Sequence, residues 1–144
     1  MKILLSIKPK YSEKIFSGEK RYEFRKQTPK EKIEKVYVYE SNPTQHIVGW
    51  FTIKKILTGS PKEIWEKCKA KGGIEHSNFF AYCADKTMIH AFEIDKYGRF
   101  ETPIDPYETY PDYKPPQNYT YFDDSDLFRK IGGNGCSFQA VLTE

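Results

Sequence analysis

Apolar and polar residues alternate from Lys2 to Ile7, with Ile3, Leu5 and Ile7 on one face and Leu4 and Ser6 on the other, which predicts a strand. Pro9 ends it. Tyr11 and Ile15, four residues apart, predict a short helix, and Gly18 is placed to close it in a left-handed conformation. Alternation resumes at once: Tyr22 and Phe24 share one face, while Arg21, Glu23 and Arg25 share the other. A regular strand would group Lys20 with the aromatic face, but at the first position the turn is free to aim it elsewhere.

Val36 to Tyr39 and Ile47 to Ile53 are predicted strands joined by the polar loop Ser41-Asn42-Pro43-Thr44-Gln45. Gly49, inside the second, marks a bulge or a close approach of another backbone or a ligand. Ser60-Pro61-Lys62-Glu63 is a capping box with proline at the first helical position, so a helix carries Ile64, Trp65 and Cys68 until Gly72-Gly73 stops it. Ser77 is expected to cap a second short helix presenting Phe79, Phe80 and Cys83, and Met88 to Ile94 alternates as a strand.

From Gly98 to Tyr121 the chain carries Pro103, Pro106, Pro111, Pro115 and Pro116 among many tyrosines, which predicts a long ordered loop with a binding role. Asp124 to Ile131 reads as a last helix, Gly132-Gly133 as a turn and Ser137 to Leu142 as a final strand. Short strands separated by short helices, with no βαβ rhythm and no glycine-rich phosphate loop, indicate an α+β domain on a curved or closed sheet. At 144 residues the chain suits one such domain.

Composition narrows the function classes. Hydrophobic residues make up 38% of the chain, and no apolar run approaches the about 18 residues of a membrane span. The initial Leu-Leu pair lacks the long apolar region of a signal peptide, so a cytoplasmic protein with no membrane association is expected. A net charge of +3 is mild for a general nucleic-acid binder. Its distribution is more informative, because Lys and Arg crowd the segment from Lys2 to Lys35 while Asp and Glu gather after Asp105. Cys68, Cys83 and Cys136 are odd in number and widely spaced, which argues against a disulfide framework. His46, His76 and His90 show no paired ligand spacing, so neither a metal nor a cofactor is expected.

The densest chemistry lies in Lys20-Arg21-Tyr22-Glu23-Phe24-Arg25-Lys26, where a turn delivers cations, a carboxylate and ring faces to one small region. Lys20 and Arg25 suit phosphate oxygens. Glu23 offers an acceptor for an amino group on a base or for a lysine, and the cations around it favour recognition over proton donation. Tyr39, Trp50, Tyr119 and Tyr121 are candidates for base stacking, a contact worth roughly 1–3 kcal/mol. Aromatic residues are 16% of the chain, however, so most serve the core. The Gln117 amide can read both donors and acceptors, and Ser6 and Lys8 straddle the end of the first strand at the same rim.

The strand, helix and Gly-x-Lys-x-x-x-x-Arg arrangement, here Gly18, Lys20 and Arg25, resembles the opening of ASCH domains in the PUA-like superfamily. Tyr37-Val38-Tyr39-Glu40-Ser41-Asn42-Pro43 leading to Ile47-Val48-Gly49, and Lys114-Pro115-Pro116-Gln117-Asn118-Tyr119, are similar to the subgroup in which Tyr-Glu-Phe-Arg follows shortly after the lysine. The resemblance implies a PUA-like β-barrel flanked by short helices over residues 1–122, with 123–144 as an extension packed on the same domain. It also implies RNA or a nucleotide-derived ligand in a basic cleft, with Ser6, Lys8, Lys20, Glu23, Arg25, Tyr39, Ser41, Trp50, Gln117 and Tyr119 as its binding residues.

A second implication is hydrolysis, since some small ASCH proteins cleave RNA or the amide of acetylated cytidine. Lys20 matches their catalytic lysine, and Lys20 with Glu23 would be the catalytic pair. Glu23 stands where those amidohydrolases place a threonine, and their glutamate falls about at Gly72, with Glu66 and Glu75 nearby but unmatched. A third implication is a transcriptional regulator or interaction module whose cleft takes a small anion or a peptide.

Overall fold

Residues 1–123 and 142–143 are described in a computed structural model. The amino-terminal alternation becomes β1 (Lys2–Ile7), followed by α1 (Pro9–Phe16), β2 (Tyr22–Arg25), β3 (Lys35–Glu40) and β4 (His46–Gly59). Next come α2 (Pro61–Cys68), a 3-10 turn at Lys69–Lys71, α3 (His76–Cys83), β5 (Ile89–Ile104), α4 (Pro106–Thr109), β6 (Thr120–Tyr121) and β7 (Leu142–Thr143).

The strands hydrogen-bond in the order β2-β5-β4-β3-β1-β6, and β7 pairs with β5. β1 and β3 run parallel, with Ile3 opposite Val36 and Leu5 opposite Val38. The other pairings are antiparallel. The result is a mixed sheet curved into a half-barrel and flanked by short helices.

Period-two alternation supplies both faces of that sheet. Ile3, Leu5 and Ile7 join Val36, Val38, Phe51, Phe92 and Ile94 in a core that also takes Ile15 from α1. Leu4 faces the other way, into a second cluster with Tyr37, Tyr39, Trp50 and Phe100, against which Tyr107 and Tyr113 pack. A third cluster seats α2 and α3 on the β2–β5 end through Ile64, Cys68, Phe79, Phe24 and Ala91. Each such aliphatic or aromatic side chain removed from water contributes on the order of 2 kcal/mol.

Gly49 is a place of close backbone approach. A Cβ there would stand 2.3 Å from the Gly98 carbonyl oxygen and 2.7 Å from the Phe16 ring, and the β4–β5 register shifts beside it. The capping box at Ser60 is formed in both directions, Glu63 N–H to Ser60 Oγ at 3.2 Å and Ser60 N–H to Glu63 Oε1 at 3.1 Å. A buried carboxylate, Glu40, ties α1 to the β3–β4 loop by accepting from Ser12 Oγ and, at 2.6 Å, from Thr44 Oγ1.

Three elements differ from the sequence expectation. β5 runs on to Ile104, through residues expected in the proline-rich loop, because its Gly98 and Arg99 pair with Trp50 and Gly49 of β4. α3 starts one residue before Ser77, with Glu75 as its N-cap and no side-chain capping bond, so burial of Phe79 and Cys83 holds it instead. α4 follows the strand, its end capped by Asp105 Oδ1 accepting from Tyr107 N–H at 2.9 Å. The expected helix over 124–131, the turn at 132–133 and all but Leu142 of the last expected strand lie outside the described residues. Among the described residues no helix is long and apolar enough to cross a membrane.

Candidate functional site

Lys20 owes its position to the end of α1. Ser17 N–H donates to the Glu13 carbonyl at 3.0 Å and Gly18 N–H to the Ile15 carbonyl at 3.1 Å. Gly18 takes φ +86°, and the Lys20 N–H then folds back onto the Lys14 carbonyl at 2.9 Å. This reversal, which glycine permits at little cost, leaves Lys20 ahead of β2 and directs its side chain inward, where it is only 2% exposed.

The buried ammonium donates from Nζ to the Gly72 carbonyl at 2.6 Å. It stands 4.8 Å from the centre of the Phe24 ring and 5.5 Å from that of Tyr11. Burial pushes the amine down to about 8, Glu23 opposes the shift, and the charges of Arg25 and Lys14 reinforce it. The turn can approach this closely because residue 73 is glycine: its φ is +65°, and a Cβ there would lie 2.7 Å from Lys20 Cβ.

Glu23 Oε1 is 3.8 Å from Lys20 Nζ, and Oε2 accepts from Arg25 Nη2 at 2.7 Å and Nε at 3.0 Å. Arg25 is held further by Nη2 donating to the Ser6 carbonyl at 3.1 Å and Nη1 to the Asn118 carbonyl at 3.5 Å. Its guanidinium is therefore largely engaged within the protein. A carboxylate has about four acceptor positions, so Oε1 keeps capacity for a further donor.

These groups line a cleft of about 550 Å³. Ser6, Ile7 and Lys8 come from the end of β1, and Tyr11 from α1. Ile74, Asn78, Ala81 and Tyr82, the last three from α3, also line it, as does Gln117. Lys26 Nζ stands 4.8 Å from the Tyr82 ring centre. Burial pushes the Tyr82 phenol up, so the cleft offers a neutral ring there.

Of the residues singled out in the sequence, Ser6, Lys8, Lys20, Glu23, Arg25 and Gln117 meet in this cleft. The structure places four others elsewhere. Tyr39 is buried in the second cluster with its hydroxyl 3.2 Å from that of Tyr107, and burial with this hydrogen bond pushes its phenol up. Trp50 lies in the same cluster beneath Lys35, whose Nζ is 4.5 Å from its ring. Ser41 donates its N–H to the Ile7 carbonyl at 2.9 Å, and Tyr119 packs on the first core beside Tyr121. Gly72 supplies the partner of Lys20, but as a carbonyl and not a carboxylate, while Glu66 pairs with Lys69 on the surface.

Sequence reasoning missed Asn78 and Tyr82. A signal was present: the two are four apart on a stripe of α3 that flanks the buried pair Phe79 and Cys83. Cys68 and Cys83 are free and buried, and burial pushes the Cys68 thiol up to about 11, which suits packing and not nucleophilic attack. Among the described residues no group of three or more His, Cys, Asp or Glu could hold a metal ion.

The family model for the ASCH domain matches residues 5–121. Large ribosomal subunit protein uL22 of Ureaplasma parvum serovar 3 is 32% identical over 120 residues, which are 83% of this chain. The chain spans 38% of that relative's length. An ASCH domain-containing ribonuclease of Zymomonas mobilis is 22% identical over 125 residues, 82% of each chain. The crystal structure of ASCH from Zymomonas mobilis superposes with a TM-score of 0.79 at 20% identity, covering 88% of this chain and 90% of that one, a likeness of fold.

Proposed function

This chain belongs to the ASCH domain family, and we propose that it binds RNA or a nucleotide-derived ligand, seating a base in the cleft beside Glu23. The observation that carries this reading is the state of that carboxylate. Glu23 is 6% exposed, fixed by Arg25 and Lys20, and has an acceptor oxygen to spare on the wall of the cleft. A ligand that fills such a site needs N–H donors, as the exocyclic amino and ring imino groups of bases provide.

The surroundings fit the same chemistry. Tyr11 and Tyr82 offer ring faces to a flat heterocycle, and the exposed amides of Asn78 and Gln117 can donate and accept along its edge. Because the donors of Arg25 are largely engaged inside the protein, phosphate is assigned to the mouth of the cleft, where Lys8 is exposed.

Fluorescence anisotropy of a labelled single-stranded RNA, with duplex RNA and DNA as comparisons, tests the reading. Binding is expected to weaken with salt and to fall roughly tenfold in Gln117→Ala and in Asn78→Ala, whose exposed side chains the fold does not need. Folded native protein that binds none of the three, and no ribonucleoside monophosphate either, would overturn it.

A second reading, hydrolysis of RNA or of a modified nucleoside, is favoured by one observation. Lys20, held to about 8 by burial, keeps part of its population as a neutral amine near physiological pH, within reach of Glu23. Incubation with RNA and with acetylated cytidine, followed by chromatography, tests it. Product that is lost in Lys20→Met supports turnover, and no product from folded protein rejects it.

A further inference from the structure

We infer that the ligand is an RNA strand running on beyond the cleft, its neighbouring phosphates lying in a second, lysine-lined groove on the far side of the Gly73 turn. This rests on the cleft reading above and adds to it the polymeric nature of the partner.

The second groove has a volume of about 470 Å³ and includes Lys14, Lys69 and Lys71 on its walls. Ile74 borders both hollows. The partition between them is the Gly72-Gly73 turn, held from the cleft side by Lys20 Nζ on the Gly72 carbonyl and approached from the groove side by Lys14 Nζ, 3.5 Å from the Gly73 carbonyl. At Gly73 the wall has no side chain, and a Cβ added there would crowd Lys20 Cβ at 2.7 Å. A strand leaving the cleft over this low wall enters the groove directly.

The cations divide between the two hollows by availability. In the cleft, Arg25 is engaged by Glu23 and two backbone carbonyls, and Lys20 is buried against Gly72. In the groove, Lys71 is exposed and has no ion-pair partner among the described residues. Lys69 shares a 3.0 Å pair with Glu66, both ends of which are exposed, and such surface pairs contribute little and exchange readily for another anion. Glu19 and Glu75 also line the groove, and with Glu66 beside Lys69 the carboxylates match the three lysines in number, so it is the mobility of the exposed ammonium groups and not a net charge that the groove offers. Flexible ammonium groups spaced along one track suit phosphates in sequence, which need cationic partners but carry no base code.

The test compares the four ribonucleoside monophosphates with a mixed-sequence single-stranded RNA pentamer, titrated calorimetrically against native protein and a Lys69→Ala/Lys71→Ala variant, with the pentamer repeated across a salt series. The pentamer is expected to bind at least tenfold more tightly than the best monophosphate. In the variant that advantage is expected to fall roughly tenfold, with the slope of log affinity against log salt shallower by about 1 to 2, and monophosphate binding unchanged. A pentamer no tighter than a monophosphate, or one unaffected by the variant, would overturn the groove and leave the cleft standing. Failure of native protein to bind either ligand would overturn the cleft reading itself, and the groove with it.

Discussion

Arg25 on β2 donates from Nη2 to the backbone carbonyl of Ser6 on β1 at 3.1 Å, although β5, β4 and β3 separate these two strands in the sheet. One guanidinium thus spans the open side of the half-barrel. Glu23 supplies its countercharge at 2.7 Å, so the pair that shapes the cleft wall also fixes the curl of the sheet.

The Glu23–Arg25 pair is therefore expected to behave as a largely buried ion pair, its side chains 8% and 13% exposed. Glu23→Gln leaves a guanidinium without countercharge and is expected to destabilise by about 3 kcal/mol, as is Arg25→Met. The double variant should recover part of that loss, giving a coupling of about 1 to 3 kcal/mol in urea unfolding. Strictly additive effects would contradict the pairing.

Lys20 carries a pH signature of opposite sign to that of a paired lysine. Its folded value of about 8 lies below its ordinary 10.5, so between those values the unfolded chain holds more protons and stability rises with pH. Below about 8 the buried charge costs the fold its full penalty, on the order of 3 kcal/mol for a depression of this size. The stability of native protein relative to Lys20→Met is expected to improve as pH rises from about 8 to 10.5. Urea unfolding of both proteins across that window checks it, and a difference that stays constant would show that Lys20 is not desolvated.

Glycine is required at two positions for different reasons. Gly49→Ala puts a methyl group 2.3 Å from the Gly98 carbonyl, a backbone atom that cannot step aside, and is expected to cost about 3 kcal/mol or more. Gly73→Ala adds left-handed strain at φ +65° to a contact of 2.7 Å with Lys20 Cβ, less close than the 2.3 Å contact at Gly49. Its cost is expected to be smaller, about 1 to 2 kcal/mol, with weaker ligand binding because Lys20 is displaced. Thermal unfolding ranks the two, and the reverse order would contradict the contacts described.

What could be read in the sequence was what lies close in it. Gly18, Lys20, Glu23 and Arg25 sit within one turn and one short strand, so local alternation and a left-handed glycine brought them together on paper. Asn78 and Tyr82 arrive on a helix more than fifty residues later, and only the third hydrophobic cluster brings that helix to the cleft. The Gly72 carbonyl left no trace, since any residue supplies a carbonyl. Tyr39 and Trp50 show the converse. Their aromatic character suited stacking, but pleating turned both into the second cluster with Leu4 and Phe100. The length of β5 was hidden by Gly98 and Pro103, residues that usually end strands and here lie within one.

The measurement that bears most directly on the central claim is amide chemical-shift mapping of isotopically labelled protein titrated with single-stranded RNA. The account predicts shifts concentrated at Ser6, Lys20, Glu23, Arg25, Asn78, Tyr82 and Gln117, with smaller ones at Lys14 and Lys71. Shifts confined to the opposite face of the sheet, around Trp50 and Tyr107, or an unchanged spectrum at saturating RNA, would contradict it.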